Sequence, residues 1–123
     1  MRSWCNLSEY IVSELTEKSC TPCEGGVPPL DDSAVSALLG KIHADWELND
    51  TGKEIQREFK FKGYYKTIAF VNAVAWIANN EGHHPDLEVS YNRCLVRYTT
   101  HAIDGLTDND FICAAKIDAL INS

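Results

Sequence analysis

Hydrophobic residues recur at three- and four-residue spacing from Tyr64 to about Asn80, which predicts a long helix ended by Gly82. One stripe holds Tyr64, Ile68, Val71, Ala75 and Ala78, and a second holds Phe70, Val74 and Ile77. Such a helix is apolar over most of its circumference, so we expect burial on more than one side. In so short a chain, the second covering surface is expected to come from another copy of the protein.

Strict alternation of apolar and polar residues predicts the strands. It runs from Ile55 to Phe61, with Arg57 as an exception on the apolar side. Two further segments, 87–91 and 94–98, alternate in the same way around an Asn92-Arg93 turn and predict a hairpin. Residues 45–48 are expected to form a short fourth strand.

Capping signals predict two more helices. Asp31 or Asp32 can cap a helix that ends near Leu39. Thr107 and Asp110 form a capping box for a last helix that reaches about Ile121, with Asp118 on its polar side. The elements together predict an α+β fold of two layers, in which three helices pack on one face of a four-stranded antiparallel sheet.

Residues 19–30 contain three prolines and two glycines, which exclude a regular element there. We therefore expect an N-terminal arm and a Cys/Gly/Pro-rich loop over residues 1–30. The remainder, residues 31–123, is expected to form a single domain, because 123 residues are too few for two good cores.

Eighteen acidic and eleven basic residues give a net charge of −7, which argues against binding to a phosphate backbone or an anionic membrane. The sequence contains no stretch long enough to span a bilayer and no segment typical of an export signal. It has five cysteines, an odd number. We therefore expect reduced thiols and a cytoplasmic location.

The segment Glu81-Gly82-His83-His84-Pro85-Asp86 combines a helix end, two histidines and a carboxylate. The predicted hairpin begins just after His84 and ends near His101, so the three histidines are expected to lie close together. Imidazole titrates near neutral pH, which suits general acid/base chemistry. The alternative is that these are surface histidines with no role.

Two metal-based interpretations compete with acid/base chemistry. Zinc could bind the three histidines, but adjacent residues of an extended segment point in opposite directions, so His83 and His84 are poor partners for one ion. Cys20 and Cys23 form a C-x-x-C motif that could be half of a zinc site, for which Cys5 and His43 are the candidates nearby for the two further ligands. We favour a structural or incidental cysteine pair and expect no metal and no cofactor.

The pattern E-G-H-H-P-D, followed by Tyr91, His101 and then G-L-T-D-N-D-F with Asp110, resembles the pterin-4a-carbinolamine dehydratase family. The upstream segment from Cys20 to Leu30 is similar to the start of many bacterial members. The resemblance covers about residues 20–120. One position departs from the family, where Asn79 stands at a site that often holds a charged residue.

The resemblance implies dehydration of 4a-hydroxytetrahydropterin to quinonoid dihydropterin, which recycles the tetrahydrobiopterin cofactor of phenylalanine and other aromatic amino acid hydroxylases. It implies His83 and His101 as the acid/base pair, with Glu81 orienting or charging a histidine. His84, Pro85 and Asp86 are expected to bind or shape the pterin site, and Trp46 or Phe61 could stack on the ring.

The family resemblance further implies a homodimer or homotetramer and an aromatic amino acid hydroxylase as metabolic partner. Animal members also act as dimerisation cofactors of a transcription factor. A non-catalytic binding module with the same fold is therefore the alternative to an enzyme.

Overall fold

A computed structural model describes residues 15–21 and 28–122, and within residues 28–122 it shows a four-stranded antiparallel sheet and three α-helices. The strands pair in the order β1-β2-β4-β3. The α+β prediction is confirmed. In chain order, the elements are α1 (Asp32–Leu39), β1 (Glu47–Leu48), β2 (Ile55–Lys60), α2 (Tyr64–Glu81), β3 (Asp86–Val89), β4 (Arg93–Tyr98), a 3₁₀ helix (His101–Ile103) and α3 (Asp108–Asn122).

One face of the sheet is buried under the helices and the other faces solvent. The buried positions of β2 lie opposite buried positions of β4, which pairs Ile55 with Tyr98, Arg57 with Val96 and Phe59 with Cys94. The opposite face carries ion pairs between neighbouring strands, such as Arg93–Glu58 and Arg97–Glu88. The period of two predicted from the sequence therefore places the apolar side of β2 and β4 in the core.

Arg57, the exception to the alternation, is buried because α3 supplies a partner. Its Nη1 lies 2.6 Å from Oδ1 of Asp118, and its guanidinium lies 4.3 Å from the centre of the Phe59 ring. Asp118 was expected on the polar side of the last helix, but it is only 3 % exposed. That expectation is wrong, because the periodicity of the helix alone does not show that buried Arg57 on the sheet pairs with Asp118.

Helix α2 begins and ends close to the predicted positions. Gly82 closes it in the left-handed conformation, at φ 66°, which residues other than glycine rarely adopt. The inward face buries Thr67, Phe70 and Val74. On the outward face, Tyr65 is 87 % exposed and Trp76 is 65 % exposed. This outward side of the helix is thus left uncovered by the part of the chain that the structure describes.

The connections around β4 differ slightly from the prediction. Arg93 belongs to β4 rather than to the hairpin turn, and Tyr91 lies in the turn rather than in β3. His101 lies in the 3₁₀ helix that follows the strand instead of at its end.

No helix within residues 15–21 and 28–122 has the length and hydrophobicity to cross a membrane.

Candidate active site

An open cavity of about 400 Å³ lies where the end of α2, the end of β4 and the start of α3 meet the N-terminal arm. All three histidines singled out from the sequence line it. Their neighbours in the lining come from four separate segments of the chain: Cys20, Thr21, Glu81, Gly82, Thr99, Thr100, Ala102 and Asn109.

His83 is held by two contacts on the inner wall of this cavity. Its Nε2 lies 2.6 Å from Oδ1 of Asp110, and its ring stacks on Tyr98 at 5.5 Å between centres and 17° between planes. The left-handed Gly82 directs the chain away from the helix just before it. The side chain is 13 % exposed, so the ring is largely shielded from solvent.

Asp110 positions His83 because its own carboxylate is fixed. It is fully buried, and its Oδ2 accepts hydrogen bonds from the Thr107 backbone N–H and the Thr100 hydroxyl, each at 2.9 Å. The first of these bonds is the return half of the predicted capping box. An ionised carboxylate only accepts hydrogen bonds, so Nε2 of His83 donates to it. Nδ1 is the nitrogen left to exchange a proton with a ligand.

Burial alone would lower the pKa of His83. The hydrogen bond to Asp110 and the charge of that carboxylate raise it by more, so the pKa lies above the ordinary value of 6.5. The protonated imidazole is therefore stabilised near neutral pH. Such a ring can deliver a proton to a bound molecule while Asp110 keeps its position.

We expect Asp110→Asn to lower the pKa of His83, because the isosteric amide removes the charge that raises it. Because the pKa of His83 is higher in the folded protein than in the unfolded chain, protonation of His83 stabilises the fold. This stabilisation is complete below about pH 6.5 and is lost as the pH rises through the raised pKa. The wild type should show this loss, and Asp110→Asn should not.

An NMR titration of His83 and urea unfolding at several pH values would measure both effects. Asp104→Asn is the matched control, because Asp104 is 82 % exposed and pairs only with Lys53 among the ion pairs found in the described part of the chain. An unchanged His83 titration in Asp110→Asn would contradict the assigned ion pair.

His84 and His101 lie near each other on the outer side of the cavity. Their ring centres are 6.4 Å apart, and both side chains are exposed. His84 contacts the Pro85 carbonyl oxygen through Nδ1 at 3.2 Å, and Nε2 of His101 lies 3.9 Å from Oδ2 of Asp86. His83 and His84 diverge, as expected of neighbours in an extended segment. The start of β3 at Asp86 brings His101 close to His84.

Glu81 lines the cavity, but in the described part of the chain its carboxylate binds Cys20 and Lys116 rather than a histidine. One carboxylate oxygen accepts a hydrogen bond from the Cys20 backbone N–H at 2.9 Å, and the other lies 3.0 Å from Nζ of Lys116. The hydrogen bond from Cys20 holds the pKa of Glu81 below its usual range, with Lys116 contributing. Glu81 therefore ties the N-terminal arm to α2 and α3.

Trp46 and Phe61, considered for ring stacking, lie elsewhere. Trp46 is 4 % exposed and donates from Nε1 to Asp118 at 2.8 Å. Phe61 packs on Phe70 at 5.1 Å and lines a separate cavity near Arg57. Neither is among the residues that line the histidine cavity.

Sequence reasoning did not assign Asn109, Thr100 or Cys113 to this region. Asn109 stands between two acidic residues at a helix start, and nothing local indicates that it binds Thr21 of the distant arm. For Asp110, the capping box was a usable signal, because it places the carboxylate at the same helix end that His83 reaches. Cys23, the partner proposed for Cys20, lies outside the described residues.

Comparisons with known proteins define the class. The sequence profile described as pterin 4 alpha carbinolamine dehydratase matches residues 28–120. A relative from Nitrosomonas eutropha, provisionally named a pterin-4-alpha-carbinolamine dehydratase, is 54 % identical over 91 % of this chain and 97 % of its own. A relative of the same name from Legionella pneumophila strain Corby is 52 % identical over 90 % of this chain and 98 % of its own. The chain belongs to the pterin-4a-carbinolamine dehydratase family, whose named activity is that of a hydro-lyase.

Solved structures agree with the fold. A transcriptional coactivator/pterin dehydratase from Brucella melitensis superposes with a TM-score of 0.71 at 32 % identity, over 75 % of this chain and 97 % of its own. A pterin dehydratase-like protein identified as a RuBisCO assembly factor in the alpha-carboxysome gives a TM-score of 0.57 at 24 % identity, over 66 % and 94 %. The second likeness concerns the fold alone.

Proposed function

We propose that this protein dehydrates 4a-hydroxytetrahydropterin to quinonoid dihydropterin and water, and so recycles the pterin cofactor of aromatic amino acid hydroxylases. The observation that supports this most strongly is the cavity itself. It presents His83, held by a buried carboxylate, together with the exposed His84 and His101. Family membership supplies the substrate class.

The reaction needs one acid and one base. The C4a–O bond breaks with its electron pair on the hydroxyl oxygen, so an acid must protonate that oxygen for it to leave as water. The N5 proton must be taken by a base as the C4a–N5 double bond forms. We assign the acid to His83, because Asp110 favours its protonated form. We assign the base to His101, and solvent returns the proton from one histidine to the other.

The other residues implied by the family resemblance are proposed to bind the pterin or to shape the cavity. His84 is proposed to contact the pterin, while Pro85 and Asp86 fix the loop that carries His84 and faces His101. Glu81 is proposed as a positioning residue, since its carboxylate holds the Cys20 wall of the cavity. Its predicted action on a histidine would need a contact other than those to Cys20 and Lys116.

We further propose that the chain forms a homodimer or homotetramer through the outward face of α2, where Tyr65 and Trp76 are exposed. In this arrangement, residues 31–123 are the pterin domain and residues 1–30 are its arm. A hydroxylase is the proposed metabolic partner. Because this protein would recycle the pterin that the hydroxylase uses, we propose that both act in the cytoplasm.

The alternative is a non-catalytic module that uses the same exposed helix face to bind another protein. The relative titled a transcriptional coactivator/pterin dehydratase supports this class for the fold. The complete histidine set in one cavity favours the enzyme, because a binding module has no need of a buried Asp110–His83 pair.

The test is the dehydration rate of freshly generated 4a-hydroxytetrahydropterin, followed by ultraviolet absorbance. We expect the native protein to accelerate the loss of water clearly above the spontaneous rate, and the same preparation unfolded in urea to lose that acceleration. A rate equal to the spontaneous one would reject the enzyme and leave the binding module as the better proposal.

A further inference from the structure

Two cysteines that are far apart in the sequence meet at the wall of the cavity. Sγ of Cys20, in the arm, lies 3.6 Å from Sγ of Cys113, in α3. Cys20 is half-buried and lines the cavity, whereas Cys113 is fully buried beneath it. Cys113 also lies close to the backbone of His83, with 3.9 Å between its Sγ and the His83 carbonyl oxygen.

Hydrogen bonds from two side chains to the backbone of the arm fix the contact between the two sulfurs. The Asn109 side chain accepts a hydrogen bond from the Thr21 N–H at 3.1 Å and donates to the Thr21 carbonyl at 2.7 Å. Glu81 accepts from the Cys20 N–H. Cys113 belongs to the same helix as Asn109, one turn further on. The arm is thus clamped to α3 where the sulfurs meet, which makes their approach a property of the fold.

We propose that Cys20 and Cys113 are a modification site at which a peroxide, such as hydrogen peroxide, forms a reversible disulfide. A disulfide bond is about 2.05 Å long, so the sulfurs need to approach by only about 1.5 Å. The cavity gives a small oxidant access to the Cys20 side of the pair. Cys23, the other cysteine of the C-x-x-C motif, is not needed for this disulfide.

The chemistry balances in two steps. After the pair has lost one proton, the sulfur that the cavity exposes, Cys20, attacks one peroxide oxygen while the remaining proton stays with Cys113, and the O–O bond breaks. The released hydroxide takes a proton and leaves as water, and Cys20 becomes a sulfenic acid. The other sulfur then attacks the sulfenic sulfur, the S–S bond forms, the S–O bond breaks, and a second water leaves with the second thiol proton. The two thiols lose two electrons, which the peroxide gains.

The surroundings favour a thiolate in this pair. The hydrogen bond from Cys20 lowers the pKa of Cys113, and the nearby His83 adds to this against the opposing effect of burial. The same hydrogen bond, with burial, raises the pKa of Cys20, so the pair gives up one proton more readily than two. Cys94 offers no such arrangement, because it is buried in β4 with its pKa raised by burial.

The test is peptide mapping without reduction after the full-length protein is reduced, freed of reductant and treated with a small excess of hydrogen peroxide. We expect the loss of two of the five thiols, a peptide linking Cys20 to Cys113, and full reversal by dithiothreitol. Cys94→Ser and Cys23→Ser should still form the linked peptide, whereas Cys20→Ser should not.

A Cys20–Cys23 linkage, oxidation to sulfinic acid without a disulfide, or an unchanged thiol count would each overturn the proposal. Because the readout is a linked peptide in the wild-type chain, it does not depend on the fold of any variant. It is also independent of the dehydration rate, so its failure would leave the proposed reaction untouched.

Discussion

His83→Ala is expected to lower the dehydration rate by about 10²–10⁴-fold, the usual contribution of a positioned general acid or base. The imidazole is the group that protonates the departing hydroxyl in the proposed reaction, and alanine leaves no side chain that can replace it. The Asp110 carboxylate, 2.6 Å from Nε2 in the wild type, would lose its partner but keep its bonds from Thr100 and Thr107.

The rate should be measured under saturating pterin, with circular dichroism to show that the variant is folded. His43→Ala is the matched control, because His43 is the one histidine outside the cavity and its ring contacts Asp45 instead. His101→Ala should also lose activity, as the proposed base. A folded His83→Ala variant with the wild-type rate would contradict the role of His83.

Asp118→Ala is expected to lower the free energy of unfolding by about 3–5 kcal/mol, as removal of one partner of a buried ion pair does. Asp118 accepts from Arg57 at 2.6 Å and from Trp46 Nε1 at 2.8 Å through one oxygen, and from the His43 N–H at 3.0 Å through the other. Without it, the Arg57 charge, 7 % exposed, would be left buried with no counter-ion among the described residues.

Urea unfolding gives this free energy directly. Asp104→Asn serves as the comparison, since it removes an exposed negative charge from a surface pair with Lys53, which is worth about 0–1 kcal/mol, and asparagine tolerates the left-handed φ of 52° at this position. Equal midpoints for Asp118→Ala and Asp104→Asn would show that the Asp118 cluster does not stabilise the fold. The histidine cavity lies in a different part of the domain, so activity measured below the transition should persist.

The elements of this fold were largely predictable because each carries a local signal. Periodicity and Gly82 predict helix α2. Asp31 predicts the start of α1, and its carboxylate accepts a hydrogen bond from the Ala34 N–H at 2.8 Å, as an N-cap residue does. The alternation in β2 and β4 fixes which side of the sheet is buried. Boundaries were less certain, as Arg93 and His101 show.

The site was predictable only where its parts lie close in sequence or share an element end. His83, His84 and His101 could be brought together from the hairpin alone. The contact of Glu81 with Cys20 and that of Cys20 with Cys113 join segments 61 and 93 residues apart. No local pattern encodes such pairs, since they arise from the docking of the arm onto α3. The burial of Asp118 was missed because its partners, Arg57 and Trp46, also lie far away in the sequence.

The most direct test of the central claim is a crystal structure of the protein with a bound dihydropterin. We predict the ring in the cavity between His83 and His101, with its N5–C4a edge within hydrogen-bond reach of both. His84 should contact the same ligand from the rim. A ring bound instead beside Phe61, or anywhere outside the histidine cavity, would contradict the proposed active site.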